Sequence, residues 1–528
     1  MKIIYIVVAV LGLLPIFIKS QITTYSKLVE EDTLANYKGW DIFEIDGFFY
    51  IVSGVIQRFD SLPSEIRTGF SKISVDGDTV FNKILTRIRP SGPGVQGSSE
   101  FYDGKFYIGG SVHGDDYYEL FGLLTEINEW GDTLRHFISD TLGIESIRDL
   151  AIYDNYIYTS GFARQTYSGI QPVWRVIRKL DMDFNVIWEL FDTSIYDGEI
   201  PLNDGWTINI VNDKILIGGR TDAYETKAGY ILELTLDGEF IRDTIFLNPV
   251  GNPPGDWNSS INIRPHPFGG YVFMMGCEQA NTASDNYYNY YVYKLSEEFE
   301  VEWTYIFGGG AVEDKIIYNF RVLADGSIIG CGENYAHPSD IDQNKMAWIF
   351  KLSPEGDIVW ERNFHGNPNP QVYPSVSLSD IIETSDGGYA TCGMYSTYTG
   401  LPGARPDLWL LKLDENGCLT PGCTEELTIV GIEDSFPDDG MLDVVEKFFT
   451  LSPNPTTDYA RASFYNPISR KASTLVLSSL SGQEIVRIDM ASGQREINLP
   501  LADLMSGIYL VSYMSEGRIL QSEKIIKN

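Results

Sequence analysis

Three tryptophans and three aspartates are the residues best suited to handle a sugar. Trp40, Trp206 and Trp257 stand in Gly39-Trp40-Asp41, Gly205-Trp206-Thr207 and Asp256-Trp257-Asn258, each just ahead of an apolar run. Aromatic planes can stack on sugar rings, although large aromatics also fill the space between packed sheets. Asp41, Asp314 and Asp380 occupy comparable segments, and two carboxylates at a suitable separation can serve as acid and base on a glycosidic bond. Sequence supplies no separation, and carboxylates near turns often cap backbone groups, so no catalytic residue is assigned. Tyr287 and Tyr288, within Asp285 to Tyr291, and the run Asp115 to Tyr118 mix aromatic, amide and carboxylate groups, a texture suited to a glycan or protein ligand or to packing.

Other chemistry is sparse. His113, His136, His266, His337 and His365 are scattered without metal-ligand spacing, and no phosphate-binding or dinucleotide fingerprint occurs, so neither metal nor cofactor is expected. Asp76/Asp78 and Asp181/Asp183 lack the other ligands of a calcium loop and fall at turns. Cys277, Cys331 and Cys392 take nearly matching places in strands and are expected to be small buried hydrophobes. Cys418 and Cys423 flank a Pro-Gly turn in a chain bound for an oxidising compartment, where a disulfide is expected.

A tandem repeat must position these groups. An apolar strand, a turn and a strand ending in glycine recur seven times, closing at Gly54, Gly110, Gly161, Gly219, Gly276, Gly332 and Gly393. A second hairpin follows each, with Asp76-Gly77, Asp237-Gly238, Glu355-Gly356 and Asn416-Gly417 read as two-residue turns. The seventh second hairpin lacks its last strand, and Thr23 to Val29 could supply it. Seven four-stranded meanders with hardly any helical periodicity predict an all-β chain: a seven-bladed β-propeller over residues 21–423, its long loops gathered on one face.

The remaining segments read separately. Residues 1–20, one lysine then an apolar run, read as a signal peptide. Residues 424–447 are an acidic linker. Residues 448–528 alternate as short strands and predict a small C-terminal β-sandwich. Pro453, Asn454 and Pro455 near its start, Gly482 in Leu480 to Glu484, Gly507 and Tyr509 in Leu504 to Val511, and Lys524 near the terminus follow one another in a recognisable order. The module resembles the C-terminal sorting domain of the type IX secretion system. That resemblance implies passage through an outer-membrane translocon, frequent removal by a sorting peptidase, and an extracellular or outer-surface address reached through the periplasm.

Charge sharpens the exclusions. The net charge is −34 at pH 7 over 528 residues. Residues 448–528 hold eight Lys plus Arg and seven Asp plus Glu, a net of +1, so the preceding residues carry −34 − 1 = −35. Such a chain is unsuited to nucleic acid or an anionic membrane, and no stable membrane span is expected after the leader. The sequence favours an exported glycan- or protein-binding module over the alternative, a secreted polysaccharide-degrading enzyme.

Overall fold

A β-bulge in the first strand recurs in five of the described meanders, often opposite a glycine. In the computed structural model, the first strand of a meander gains one residue where it pairs with the second: Trp40, Arg148, Trp206, Tyr318 and Ser379 are the extra residues. The bulge pushes a carbonyl against the neighbouring strand. A Cβ on Gly332 would lie 1.8 Å from the Ile316 carbonyl oxygen, and one on Gly393 would lie 1.9 Å from that of Ser377. Those glycines are required by close approach rather than by an unusual φ.

The structure describes residues 22–29, 35–59, 62–85, 91–93, 98–114, 119–140, 143–164, 173–192, 203–221, 228–247, 261–281, 285–308, 313–336, 345–365, 373–398, 406–420, 423, 427–429, 449–453, 455–464, 473–479, 484–491, 494–502, 504–515 and 518–527. Residues 1–20, read as a signal peptide, lie outside them, as do most of residues 424–447, read as an acidic linker. No helix among the described residues is long and apolar enough to cross a membrane. The chain divides into two compact units, Met1–Ile432 and Glu433–Asn528.

The first unit is a β-propeller. Its described strands pair as four-stranded antiparallel meanders, the second and third joined in a nine-stranded sheet, with first strands Ala35–Ile45, Ser99–Tyr102, Ile144–Tyr153, Asn203–Val211, Asn262–Pro265, Glu313–Val322 and Tyr373–Glu383. Consecutive first strands adjoin, and the last adjoins the first, closing a ring. Tyr25–Val29 pairs with Asp407–Leu413 as the outer strand of meander seven, so the two ends of the ring share one sheet. Leu427–Ile429, within the linker, adds in parallel to the outer edge of meander six.

Turn chemistry fixes the hairpins, with one correction. In the first four meanders the first turn is a two-residue loop with both residues left-handed, as at Asp46 (φ 50°) and Gly47 (φ 79°). The third-to-fourth turns are three-residue loops instead: the Ser74 N–H donates to the Asp78 carbonyl at 2.8 Å, and Gly77 (φ 96°) takes the left-handed place. Phe184 (φ 68°) and Phe299 (φ 66°) fill that place in meanders three and five, where burial of the ring offsets the strain.

Neighbouring meanders interlock at their outer strands. The Trp188 indole lies against Gly238 and donates to the Leu236 carbonyl at 3.2 Å; Trp303 lies against Gly356 and donates to the Pro354 carbonyl at 3.2 Å. Tyr25 takes the same position against Gly77. Only glycine leaves room for a ring over the turn.

The second unit is a small sandwich. One sheet contains Phe449–Ser452, Tyr459–Phe464 and Glu496–Pro500, the other Glu484–Met490, Ser473–Ser479, Gly507–Ser515 and Arg518–Lys527. Alternate residues of both, including Phe449, Phe464, Leu475, Leu499, Val511 and Ile525, fill one core.

Candidate functional site

The residue five positions ahead of the first turn, which directly follows the bulge where one is present, begins the site. These equivalent positions hold Asp41, Ser98, Asp149, Thr207, Asn262, Asn319 and Asp380, all buried. Each bulge re-aims this side chain toward the next meander. Asp380 Oδ2 accepts the Ile42 N–H at 3.1 Å, Asp149 Oδ2 accepts the Ile208 N–H at 2.9 Å, and Thr207 Oγ1 accepts the Ile263 N–H at 3.3 Å. The Ser99 hydroxyl donates to Asp41 at 2.5 Å, Asn262 donates to Asn319 at 3.0 Å, and Asn319 donates to Asp380 at 2.9 Å. These side chains act as a polar belt that ties first strand to first strand.

Two residues further on, the strand alternation brings side chains back to the ring axis. Here stand Phe43, Glu100, Ala151, Asn209, Arg264, Arg321 and Ile382, each half-buried. Arg321 donates to Asp380 at 2.8 Å, and although burial opposes its charge, Asp380 keeps its guanidinium firmly protonated. Burial lowers the Arg264 pKa and the like charge of Arg321 adds to it, against the pull of Asp149, Asp380 and Glu100. Burial raises Glu100, with Arg321 and Arg264 opposing, and raises Asp149 well above the carboxylate range.

Aromatic and cationic groups frame one end of this axis. Lys38 Nζ lies 4.6 Å from the Trp40 ring centroid and 4.8 Å from that of Tyr318, joining meanders one and six. Burial lowers the Lys38 pKa, with Glu333 opposing. The Arg148 guanidinium lies 4.9 Å from both the Trp206 and Phe162 rings. Trp40 and Trp206 are half-buried, and the Trp206 indole N–H has no acceptor among the described residues.

The candidates suggested by residue type and spacing separate under this geometry. Asp41 and Asp380 do occupy equivalent positions, but as ties between strands. Asp314 is not their counterpart: Asn319 holds that place, and the Asp314 side chain lies outside the described residues. Trp257 lies outside them, as do the side chains of Tyr287 and Tyr288, whose backbones pair with Gln279 and Glu278. Asp149, Glu100, Arg264, Arg321 and Tyr318 do not stand out in the linear sequence. Their signal is positional, a fixed offset from the first turn in every repeat. Cys277, Cys331 and Cys392 are buried and outside any disulfide, and no group of His, Cys, Asp and Glu among the described residues could hold a metal.

Cys418 and Cys423 form a disulfide at the end of meander seven. In the sandwich, Pro453 and Pro455 are exposed, while Asn454 and Gly482 lie outside the described residues. Gly507 opens a strand, the Tyr509 hydroxyl donates to the Met505 carbonyl at 2.8 Å, and Lys524 is exposed on the last strand.

The chain is thus a β-propeller followed by a separate β-sandwich module. Residues 450–528 match the secretion system C-terminal sorting domain family, and this module is the sorting domain of the type IX system. It implies export to the cell surface or extracellular space. No curated protein matches the chain. Among solved structures, the chain is similar to the phage phi92 endosialidase, at 11% identity over 96% of this chain and 87% of that one, TM-score 0.39. It is also similar to an ulvan lyase bound to an oligosaccharide, at 10% identity over 72% and 92%, TM-score 0.42. A third is the β-propeller domain of the Trilobed protease from Pyrococcus furiosus, at 8% identity over 69% and 94%, TM-score 0.37. These scores are low, and the fold assignment rests on the strands themselves.

Proposed function

We propose that the chain is a seven-bladed propeller, led out by the segment 1–20 and carried through the type IX translocon, that binds a glycan or protein ligand at the mouth of its ring. The observation that carries this reading is the pair of aromatic and cationic clusters, Lys38 with Trp40 and Tyr318, and Arg148 with Trp206, next to the charged axis. Half-buried rings offer stacking area on a rigid frame, with cations and an indole N–H beside them for hydroxyl or carbonyl groups. A sorting peptidase acting on the linker would leave the propeller as the mature protein.

Catalysis is the second reading. Asp41, Asp149 and Asp380 are occupied in holding the ring, which disfavours them as acid or base. Glu100 is different: burial raises its pKa, as a general acid requires. A glycan array probed with the full chain, read beside release of reducing ends from the same glycans, decides between them. Binding without turnover supports the module; turnover lost in Glu100→Gln establishes the enzyme.

A further inference from the structure

We propose that the ring axis takes an acidic ligand group, a carboxylate or a sulfate ester, docked on the Arg264 guanidinium with Arg321 beside it. This deepens the glycan-binding reading and rests on it for the source of the acidic group.

Arg264 and Arg321 occupy equivalent positions on adjacent first strands, two residues past Asn262 and Asn319, and alternation turns both to the axis. Their surroundings differ. Arg321 is paired with Asp380, whose oxygens are also engaged by Ile42, Ile381 and Asn319. Arg264 forms no ion pair with a described residue, and its buried Nε meets no acceptor among them. The guanidinium stands beside that of Arg321 in walls that exclude most solvent; Asp149, Asp380 and Glu100 pull the other way, but none pairs with it directly, so its fork is left for an anion to join. Its planar fork suits two oxygens of a carboxylate or sulfate, whereas a neutral hydroxyl offers no charge to offset the crowding. Glu100, on the first strand of meander two, feels both arginines, and burial raises its pKa against them, which weakens its repulsion of an incoming anion.

The chain's net charge of −34 opposes acidic polymers at long range. Screening limits that repulsion to about 8 Å at physiological ionic strength, so the local arginine pair decides discrimination at the axis.

The test uses the full chain in calorimetric titrations with two matched pairs of polymers: polygalacturonate against its methyl ester, and dextran sulfate against dextran. The expected result is at least tenfold tighter binding of one or both acidic members than of the neutral partner. Arg264→Gln should abolish that preference and Arg264→Lys should retain part of it, while Arg487→Gln, in the sorting domain, should leave it unchanged. The two pairs tell carboxylate from sulfate. Equal binding of acidic and neutral members, or a preference that survives in a folded Arg264→Gln protein, overturns the proposal while leaving the glycan reading intact. If no polymer binds, the glycan reading fails, and sodium sulfate decides the anion site alone. Sulfate protection against thermal unfolding that is lost in Arg264→Gln and reduced in Arg264→Lys supports it; protection equal in parent and Arg264→Gln overturns it.

Discussion

Asp380, in the last meander, accepts the backbone N–H of Ile42, in the first, at 3.1 Å across 338 positions of sequence. The same carboxylate accepts from Ile381, Asn319 and Arg321, so one side chain joins three meanders at the closing point of the ring. Asp380→Ala strands two buried N–H groups and an arginine, and should cost about 3 kcal/mol in the propeller's unfolding transition. Asp380→Asn keeps one acceptor and should cost less. Urea titration followed by tryptophan fluorescence measures both, and an alanine variant as stable as the parent would contradict the tie.

The closing glycines make a second prediction. Gly332→Ala would place a methyl group 1.8 Å from the Ile316 carbonyl oxygen, so the bulge in meander six must shift. A loss of about 2 kcal/mol is expected, of the size of overpacking in a filled core. Gly104→Ala is the informative comparison. Its Cβ meets nothing within 4 Å and its penalty comes from φ alone, at 73°. The first variant should therefore melt lower than the second.

Ring closure depends on a short N-terminal strand. Removing residues 21–29 uncovers the edge of Asp407–Leu413 and takes the Tyr25 ring from Gly77. The truncated chain should melt earlier and associate through the freed edge, visible by light scattering. Tyr25→Ala alone should lower stability by about 1–2 kcal/mol without association.

Glu100 should impose a pH dependence of its own. Because burial raises its folded-state pKa, the native state holds the proton more tightly than the unfolded chain does. Its contribution is therefore greatest below the ordinary glutamate value near 4.3 and declines as pH rises through the raised folded value. Glu100→Gln should flatten that decline and be the more stable protein at pH 7. Denaturant midpoints from pH 4 to 8 measure the difference, and a parallel pair of curves would refute the assignment.

The address is testable separately. Deleting residues 450–528 removes the matched sorting domain and should leave the propeller folded but inside the cell envelope. Fractionation after export, with the propeller detected in periplasm or medium, reads the outcome, and normal delivery of the truncated chain would show that the signal lies elsewhere.

The repeat, its strands and the sorting module were legible in the residues because they depend on local rules. Alternation sets a strand's faces, glycine permits a left-handed turn, and the order from Pro453 to Lys524 follows the chain. Turn length was less legible, since Asp76-Gly77 reads as a two-residue loop until the Ser74 to Asp78 hydrogen bond shows three. Trp40 and Trp206 stand out as large aromatics, but the bulges that set them beside Lys38 and Arg148 depend on pairing with a second strand.

What the sequence determined by itself was therefore the kind of element, its approximate limits and the destination of the chain. Tertiary structure alone decided the partners. Asp41 and Asp380 read in line as carboxylates near turns with no assigned role, yet become ties once neighbouring first strands lie beside them. Arg264 and Arg321 look interchangeable in sequence, yet only one meets an aspartate. The physical reason is that hydrogen bonds and Coulomb interactions act over a few ångströms of space, and ring closure brings together residues that the chain separates by hundreds of positions.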